Sequence, residues 1–459
     1  MTARVAVVGG GLAGITAALG CADAGHRVTL FESRPWLGGL TYSFDRGGLR
    51  VDNGQHVFLR CCDRYRALLA RLDVEDDVNL QARLDIPVRG PLPGGATGAG
   101  RLRRLPLPAP LHLSWALARY PWLSSAARAR FVRAALALRA VDPGDPRSDA
   151  ASFGEWLRAH GQDRDAVESL WDLVGIATLN ARADDVSLAL AATVFQIGLL
   201  TRSDAADIGW ARVPLGRLHG ESAEKALAAA GATVLTRTKV SAVQRNPDGW
   251  TIRADGDGVD VDALVLAVPP GPASALLPPG AMDLPAGWAA ALGSAPIINV
   301  HAVYDRKVMN TPFVAGLGTD AQWVFDRTPA SGLGDHDASG GQYLAVSVSA
   351  ADDLVDLPTA ELRERFLPAL RELLPATGTA RLRDFFVTRE RHATFRPAPG
   401  CARLRPGART ALPGLYLAGA WTATGWPATM EGAVRSGESA VAELVSDNNT
   451  RTPEWEVIR

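Results

Sequence analysis

The chain has 459 residues, 47% of them hydrophobic and 21% charged, and a formal net charge of −1. That length can bury a large core and is expected to divide into two or three domains of ordinary globular composition. The near-neutral balance argues against nucleic acid as a partner, because binding a polyphosphate favours a strongly basic chain.

The first element is an apolar run, Val5 to Val8, that stops at Gly9-x-Gly11-x-x-Gly14 and gives way to a helix-compatible stretch. A second β-branched run, Val28 to Phe31, ends on the acid Glu32, with Ser33 after it. Strand, Gly-rich turn, helix, strand and acid together predict a Rossmann-like α/β domain that binds a dinucleotide. Gly9 permits the tight turn, Gly11 lets backbone approach a pyrophosphate, and Gly14 lets helix and strand pack closely. The helix opens at Leu12 and Ala13, so its unpaired N–H groups and positive dipole end face the phosphates. Glu32 stands where a carboxylate holds a ribose hydroxyl. The chain enters its first strand directly, so no signal peptide is expected.

Residues 51–57, Val-Asp-Asn-Gly-Gln-His-Val, follow. From Tyr65 to Ile208 the period is mostly helical. Leu92–Gly100 is Gly-rich without phosphate-loop spacing and reads as a flexible loop. Leu105–Val141 carries Trp115 and Trp122 among Leu and Ala, with Arg119, Arg128, Arg130, Arg133 and Arg139 interspersed. Two readings stand here: a basic amphipathic stretch lying peripherally at a membrane, or a helical cap over a substrate cavity with its arginines in water. Short β-like runs at 233–235, 240–243 and 250–253 lead to Leu264-Val-Leu-Ala-Val-Pro-Pro270. Strand-like runs at Ile297–Tyr304 and Tyr343–Val348 precede a helix expected over Thr359–Leu373. Leu415 to Gly419 reads as a buried strand entering a loop, and Glu431–Val445 as a helix. Uncharged stretches at 263–282 and 284–304 are interrupted by Pro and Gly, so neither reads as a spanning helix.

The expected division is a discontinuous cofactor domain, 1–64, 209–270 and 393–445, and an α+β substrate domain, 65–208 and 271–392. A flexible tail, 446–459, follows. Cys21, Cys61, Cys62 and Cys401 lack zinc-like spacing, so no metal is expected. They suit a reducing, cytoplasmic location, with peripheral contact at the inner face of the membrane left open. The adjacent pair Cys61-Cys62 reads as incidental thiols or as reactive ones.

The continuation Glu32-Ser-Arg-Pro-Trp-Leu-Gly38-Gly39 resembles flavoproteins of the amine oxidase and phytoene desaturase superfamily. Within it the chain is similar to the squalene-associated FAD-dependent desaturase-like proteins, the hydroxysqualene dehydroxylases. The resemblance covers most of the chain, and its most specific strings are residues 51–57 and 415–437, which include GWPATMEGAVRSG.

The resemblance implies FAD as cofactor and hydroxysqualene, an apolar isoprenoid, as substrate, with reductive loss of an allylic hydroxyl to give squalene. It places Gly38, Gly39 and Leu40, then Gly54, Gln55 and His56, against the cofactor, with Val240 and Ala267 beneath it. Gly419, Ala420, Trp426, Thr429, Met430, Glu431 and Ala433 close the far side. There the helix near Glu431 aims its N-terminal amides at the flavin N1 and O2 edge; the alternative reading makes Glu431 a plain helix-start acid. Trp421 and Trp426 either wall the flavin or substrate face or are ordinary core aromatics, and Asn299 stands where many amine oxidases carry lysine. His56 and Asp52 are the candidate catalytic acids; otherwise His56 is a structural histidine and Asp52 a turn residue. Leu40 and Ala420 depart from the family pattern, which has a base and an acid there. Losing the acid costs about 1–3 kcal/mol if its partner is left unpaired. No second dinucleotide motif is present, so the electron donor is a separate reductase or transient NAD(P)H. The rival readings are a carotenoid or prenyl-lipid desaturase, an amine oxidase, and a non-catalytic prenyl-lipid binder.

Overall fold

A strand with neighbours on both sides and helices on both faces must be apolar throughout. Strand β1 (Arg4–Val8) meets that condition, with Val5, Ala6, Val7 and Val8 all buried. In the computed structural model, which describes residues 2–92, 95–333 and 340–450, β1 is the centre of a five-stranded sheet. β2 (Arg27–Phe31) flanks it on one side and Ala263–Leu266 on the other, both parallel. Thr233–Leu235 and Leu415–Leu417 add the two edges, also parallel.

Helix α1 (Leu12–Asp23) joins β1 to β2 and is apolar nearly all round, as a helix buried between layers must be. Two glycines allow its close approach. Gly9 has φ +110°, and a Cβ there would lie 2.4 Å from the Ala267 carbonyl oxygen; a Cβ on Gly14 would lie 1.8 Å from the Gly9 oxygen. The C-terminal helix, Met430–Thr450, packs on α1 through Gly437, whose missing Cβ leaves room for the Ala13 carbonyl.

A second, seven-stranded sheet runs 382–394, 295–304, 342–348, 323–326, 313–316, 85–91 and 97–103, antiparallel except where 313–316 meets 85–91. Helix Thr359–Leu373 covers one face through Leu362, Phe366 and Leu370. Helices between 114 and 201 form a separate layer. Asn180, in the left-handed conformation at a helix end, ties that layer to the sheet. Its amide donates to the Ala295 carbonyl and Thr394 hydroxyl, and its oxygen accepts from Ala350 N–H.

Two expectations need correction. The stretch 92–100 is not simply a loop: 85–91 and 97–103 form a hairpin, and residues 93–94 lie outside the described residues. The segment 65–208 therefore contributes strands to the substrate sheet as well as helices. The last helix continues to Thr450 rather than ending at Val445, and the tail from 451 lies outside the described residues. Among the described residues no helix is long and apolar enough to cross a membrane.

Candidate active site

One cavity of about 1860 Å³ runs from the Gly-rich turn into the space between the substrate sheet and the helical layer. Ligand pockets usually occupy about 300–1,000 Å³, so this space can take more than one sizeable group.

Its dinucleotide end is built by local sequence. The first α1 hydrogen bond runs from Ile15 N–H to the Gly11 carbonyl, and no side chain caps the helix. The amides of Leu12 and Ala13 are therefore free to meet an anion. Glu32 is buried, lines the cavity, and accepts from Gly10 N–H and Arg34 N–H, both at 2.7 Å. Ser33 donates to the same carboxylate at 3.1 Å. Gly9, Gly11, Gly38, Gly39 and Leu40 line this end, whereas Gly14 lies behind it and serves the helix–strand contact alone. Val240 and Ala267 form the floor. Sequence reasoning missed Arg34 and Lys239, which also line it. Arg34 donates to the Gly39 carbonyl and lies over the Tyr42 ring, so it places a cation beside the position where Leu40 lacks one.

The opposite wall is the loop 419–429 and the start of the last helix. Gly419 has φ +142° and donates to Ser436 Oγ. Thr429 caps the helix by accepting from Gly432 N–H at 3.1 Å, leaving the Met430 and Glu431 amides at its open end. The Glu431 carboxylate accepts from Tyr65 N–H, Arg64 N–H and Arg435 Nε. It therefore anchors the helix Asp63–Arg71 to the last helix, and Glu431, Ala420, Thr429, Met430 and Ala433 all line the cavity. Arg405, absent from the sequence candidates, donates to the carbonyls of Trp421, Thr422 and Trp426. Burial pushes its guanidinium down to about 10, and its four contacts with this loop, Ala420 included, fix the wall's shape. Trp421 lines the cavity but is tied down, donating to Val268 O and stacking on Trp288. Trp426 lines it under the Arg435 guanidinium.

At the junction of the two ends, Gly54 lets His56 and Asn299 come close. A Cβ there would lie 3.3 Å from His56 Nε2 and 3.4 Å from Asn299 Nδ2. Asn299 donates to the Asn53 carbonyl, but its own oxygen is buried without a partner, as is the Gln55 amide nitrogen. Burial lowers the His56 pKa and Arg327 lowers it further, against the Asp52 charge and the Leu40 carbonyl. Asp52 itself is a correction: it does not line the cavity. It is a buried ion-pair partner of Arg327 at 2.6 Å and also accepts from Ser43 Oγ and Leu215 N–H, so it is neither a catalytic acid nor a turn former. Cys61 and Cys62 line the cavity near Glu431 as free thiols. A hydrogen bond from Cys62 holds Cys61 below its usual value, and Cys62 is correspondingly raised.

Beyond the junction the lining is mostly apolar, with Ile86, Leu102, Phe131, Trp171, Phe195 and Phe325 among its walls and His112, Asn180 and Thr193 as polar members. The cavity's only carboxylates among the described residues are Glu32, Glu390 and Glu431. Glu390 is occupied by Asn53 Nδ2 and the Tyr42 hydroxyl.

The donor set fits a dinucleotide: a glycine cradle, an uncapped helix N-terminus, a buried acid at ribose distance in sequence, and orphaned polar atoms where a ring system would end. Fold and site together define a two-domain dinucleotide-dependent oxidoreductase. Residues 12–445 match the family described as flavin containing amine oxidoreductase. The chain is 31% identical to a hydroxysqualene dehydroxylase of Rhodopseudomonas palustris, over 97% of this chain and 99% of that one. It is 25% identical to a probable zeta-carotene desaturase of Synechococcus elongatus, over 96% and 98%. A putrescine oxidase structure superposes with a TM-score of 0.72 at 21% identity, covering 97% of this chain and 99% of that one, which shows the shared fold. The chain belongs to the flavin containing amine oxidoreductase family and is an FAD-dependent oxidoreductase. The resemblance to hydroxysqualene dehydroxylases read from the sequence is matched by these relatives.

Proposed function

We propose that this enzyme removes the allylic hydroxyl of hydroxysqualene, giving squalene and water. The overall balance is ROH plus reduced flavin to RH, water and oxidised flavin. The observation that carries this reading is the largely apolar chamber, which joins the cofactor groove at a junction holding a histidine and neutral amides. Bound reduced FAD supplies the hydride to the carbon that loses oxygen.

The protein's own residues do the rest. The chamber walls exclude water, so an allylic cation is not trapped by solvent. His56 is the candidate to hydrogen-bond the departing hydroxyl and give it a proton. Asn299 and Gln55 hold the polar edge of the junction, and the 419–429 loop, fixed by Arg405, closes the ring face.

The likeness to a zeta-carotene desaturase supports a second reading, oxidation of a polyene in the same chamber. The two separate in an anaerobic single turnover. Photoreduced enzyme should be reoxidised by hydroxysqualene with squalene appearing in equal amount. If instead only oxidised enzyme reacts, becoming reduced by a phytoene-like polyene, the desaturase reading replaces this one.

A further inference from the structure

The capping segment has an outer face that the chamber does not explain. Ten large apolar side chains are notably exposed in the described residues, and five fall between Leu107 and Leu136: Leu107, Leu111 (57%), Trp115 (54%), Val132 and Leu136. Such clustering on a globular surface marks an interaction site rather than scattered exposure. Leu111, Val132 and Leu136 are exposed and also line the cavity, so the patch reaches the chamber's mouth. On helix Ser125–Leu138, Ala127, Ala134 and Leu138 face the core, and Phe131 and Ala135 the chamber. Val132 and Leu136, one turn apart, form the rim.

Charge within this segment is of one sign. Residues 105–141 contain five arginines and no acid, in a chain whose net charge is −1. Arg130 pairs with Asp163, and Arg128 is held by the Ala118 and Tyr120 carbonyls. Arg119, Arg133 and Arg139 are exposed with no carboxylate partner among the described residues, and Arg119 stacks on Trp115 at 4.2 Å. Apolar and Trp side chains ringed by unpaired arginines match an anionic lipid interface.

We infer that this face seats the enzyme on an anionic bilayer, with the chamber mouth opening into the lipid so that the isoprenoid enters without crossing water. The lipid partner rests on the apolar-substrate reading, but its test needs no turnover. Purified holoenzyme is sedimented with phosphatidylglycerol-containing or pure phosphatidylcholine vesicles. It should pellet with the first and far less with the second, and salt should release it. R119Q/R133Q/R139Q should weaken binding about 5-fold per arginine, roughly 100-fold in all. L107S/W115S should abolish it, with flavin content and melting temperature unchanged in both variants. Enzyme that stays in the supernatant with both vesicles, or variants that pellet like wild type, would overturn the inference. So would a self-association in sedimentation velocity that L107S/W115S removes while vesicles bind nothing, since a second copy would then be the occupant. Vesicle binding without squalene formation would sink the reaction instead and leave the lipid face standing.

Discussion

Gly11→Ala and Gly14→Ala separate cofactor binding from folding on adjacent turns of the chain. A Cβ on Gly11 would meet only Gly39 Cα, at 3.7 Å, an ordinary contact. Its φ of −76° and ψ of 177° suit any residue, and a glycine helix cap replaced by alanine costs at most about 1 kcal/mol. The apo protein should therefore fold, with a melting temperature within about 4 °C of wild type. The same Cβ points into the space a pyrophosphate needs. Losing one charge-assisted hydrogen bond from the helix N-terminus is worth about 1.5–3 kcal/mol, or roughly 10- to 150-fold in FAD dissociation constant. Gly14→Ala instead drives a Cβ to 1.8 Å from the Gly9 carbonyl oxygen, so α1 must part from β1. That overpacking costs about 3 kcal/mol and lowers the melting temperature by roughly 6–12 °C. The assay is flavin absorbance after gel filtration, with FAD titration into apoenzyme and thermal circular dichroism. Wild-type FAD affinity in a well-folded Gly11→Ala protein would refute the placement of the pyrophosphate over this turn.

His56→Gln should lower kcat about 10²–10⁴-fold while FAD stays bound, and a loss of under threefold would return His56 to a structural role. Because burial depresses the His56 pKa, its protonated fraction at pH 7 is small. If the charged form donates the proton, kcat/KM should rise as pH falls below about 6.5, and a flat profile there contradicts that role. Stability should move the other way. His219 and His301 are held down to about 3 by burial, so each is neutral when folded and takes up a proton on unfolding below about pH 6.5. Their contribution is complete above that pH and is lost as pH falls, about 1.4 kcal/mol each by pH 5.5. Chemical denaturation at pH 7.5 and 5.5 should show a loss of about 3 kcal/mol that H219N/H301Q flattens; an unchanged slope would count against it. Arg327→Met strands the Asp52 carboxylate in the core and should cost about 3–5 kcal/mol with little change in the flavin spectrum.

The parts legible in sequence are those whose signal is local. The βαβ unit carries its own punctuation in Gly9, Gly11 and Glu32, and Thr359–Leu373 shows the apolar spacing of a helix packed on a sheet. The hairpin 85–103 was hidden because Gly90, Gly98 and Gly100, with Pro87 and Pro91, imitate a loop. Those glycines are there for neighbours distant in sequence: a Cβ on Gly90 would strike the Leu317 carbonyl, and one on Gly100 the Trp122 ring. Asp52 was misread for the same reason, since its partner Arg327 stands 275 residues away. Arg405 and Arg34 carry no motif; only the folded loop shows whose carbonyls they meet. The chamber is drawn from helices and strands spread through the chain, so its continuity with the cofactor groove is a property of the fold alone.

The claim on which the account stands is hydride delivery from flavin to the carbon that bore oxygen. The N5 hydrogen of reduced flavin exchanges with solvent, so enzyme photoreduced without oxygen in D2O and given one equivalent of hydroxysqualene tests it directly. Squalene gaining about one deuterium per molecule, in step with flavin reoxidation, is the expected result. Unlabelled squalene, or reoxidation with no squalene formed, would contradict it.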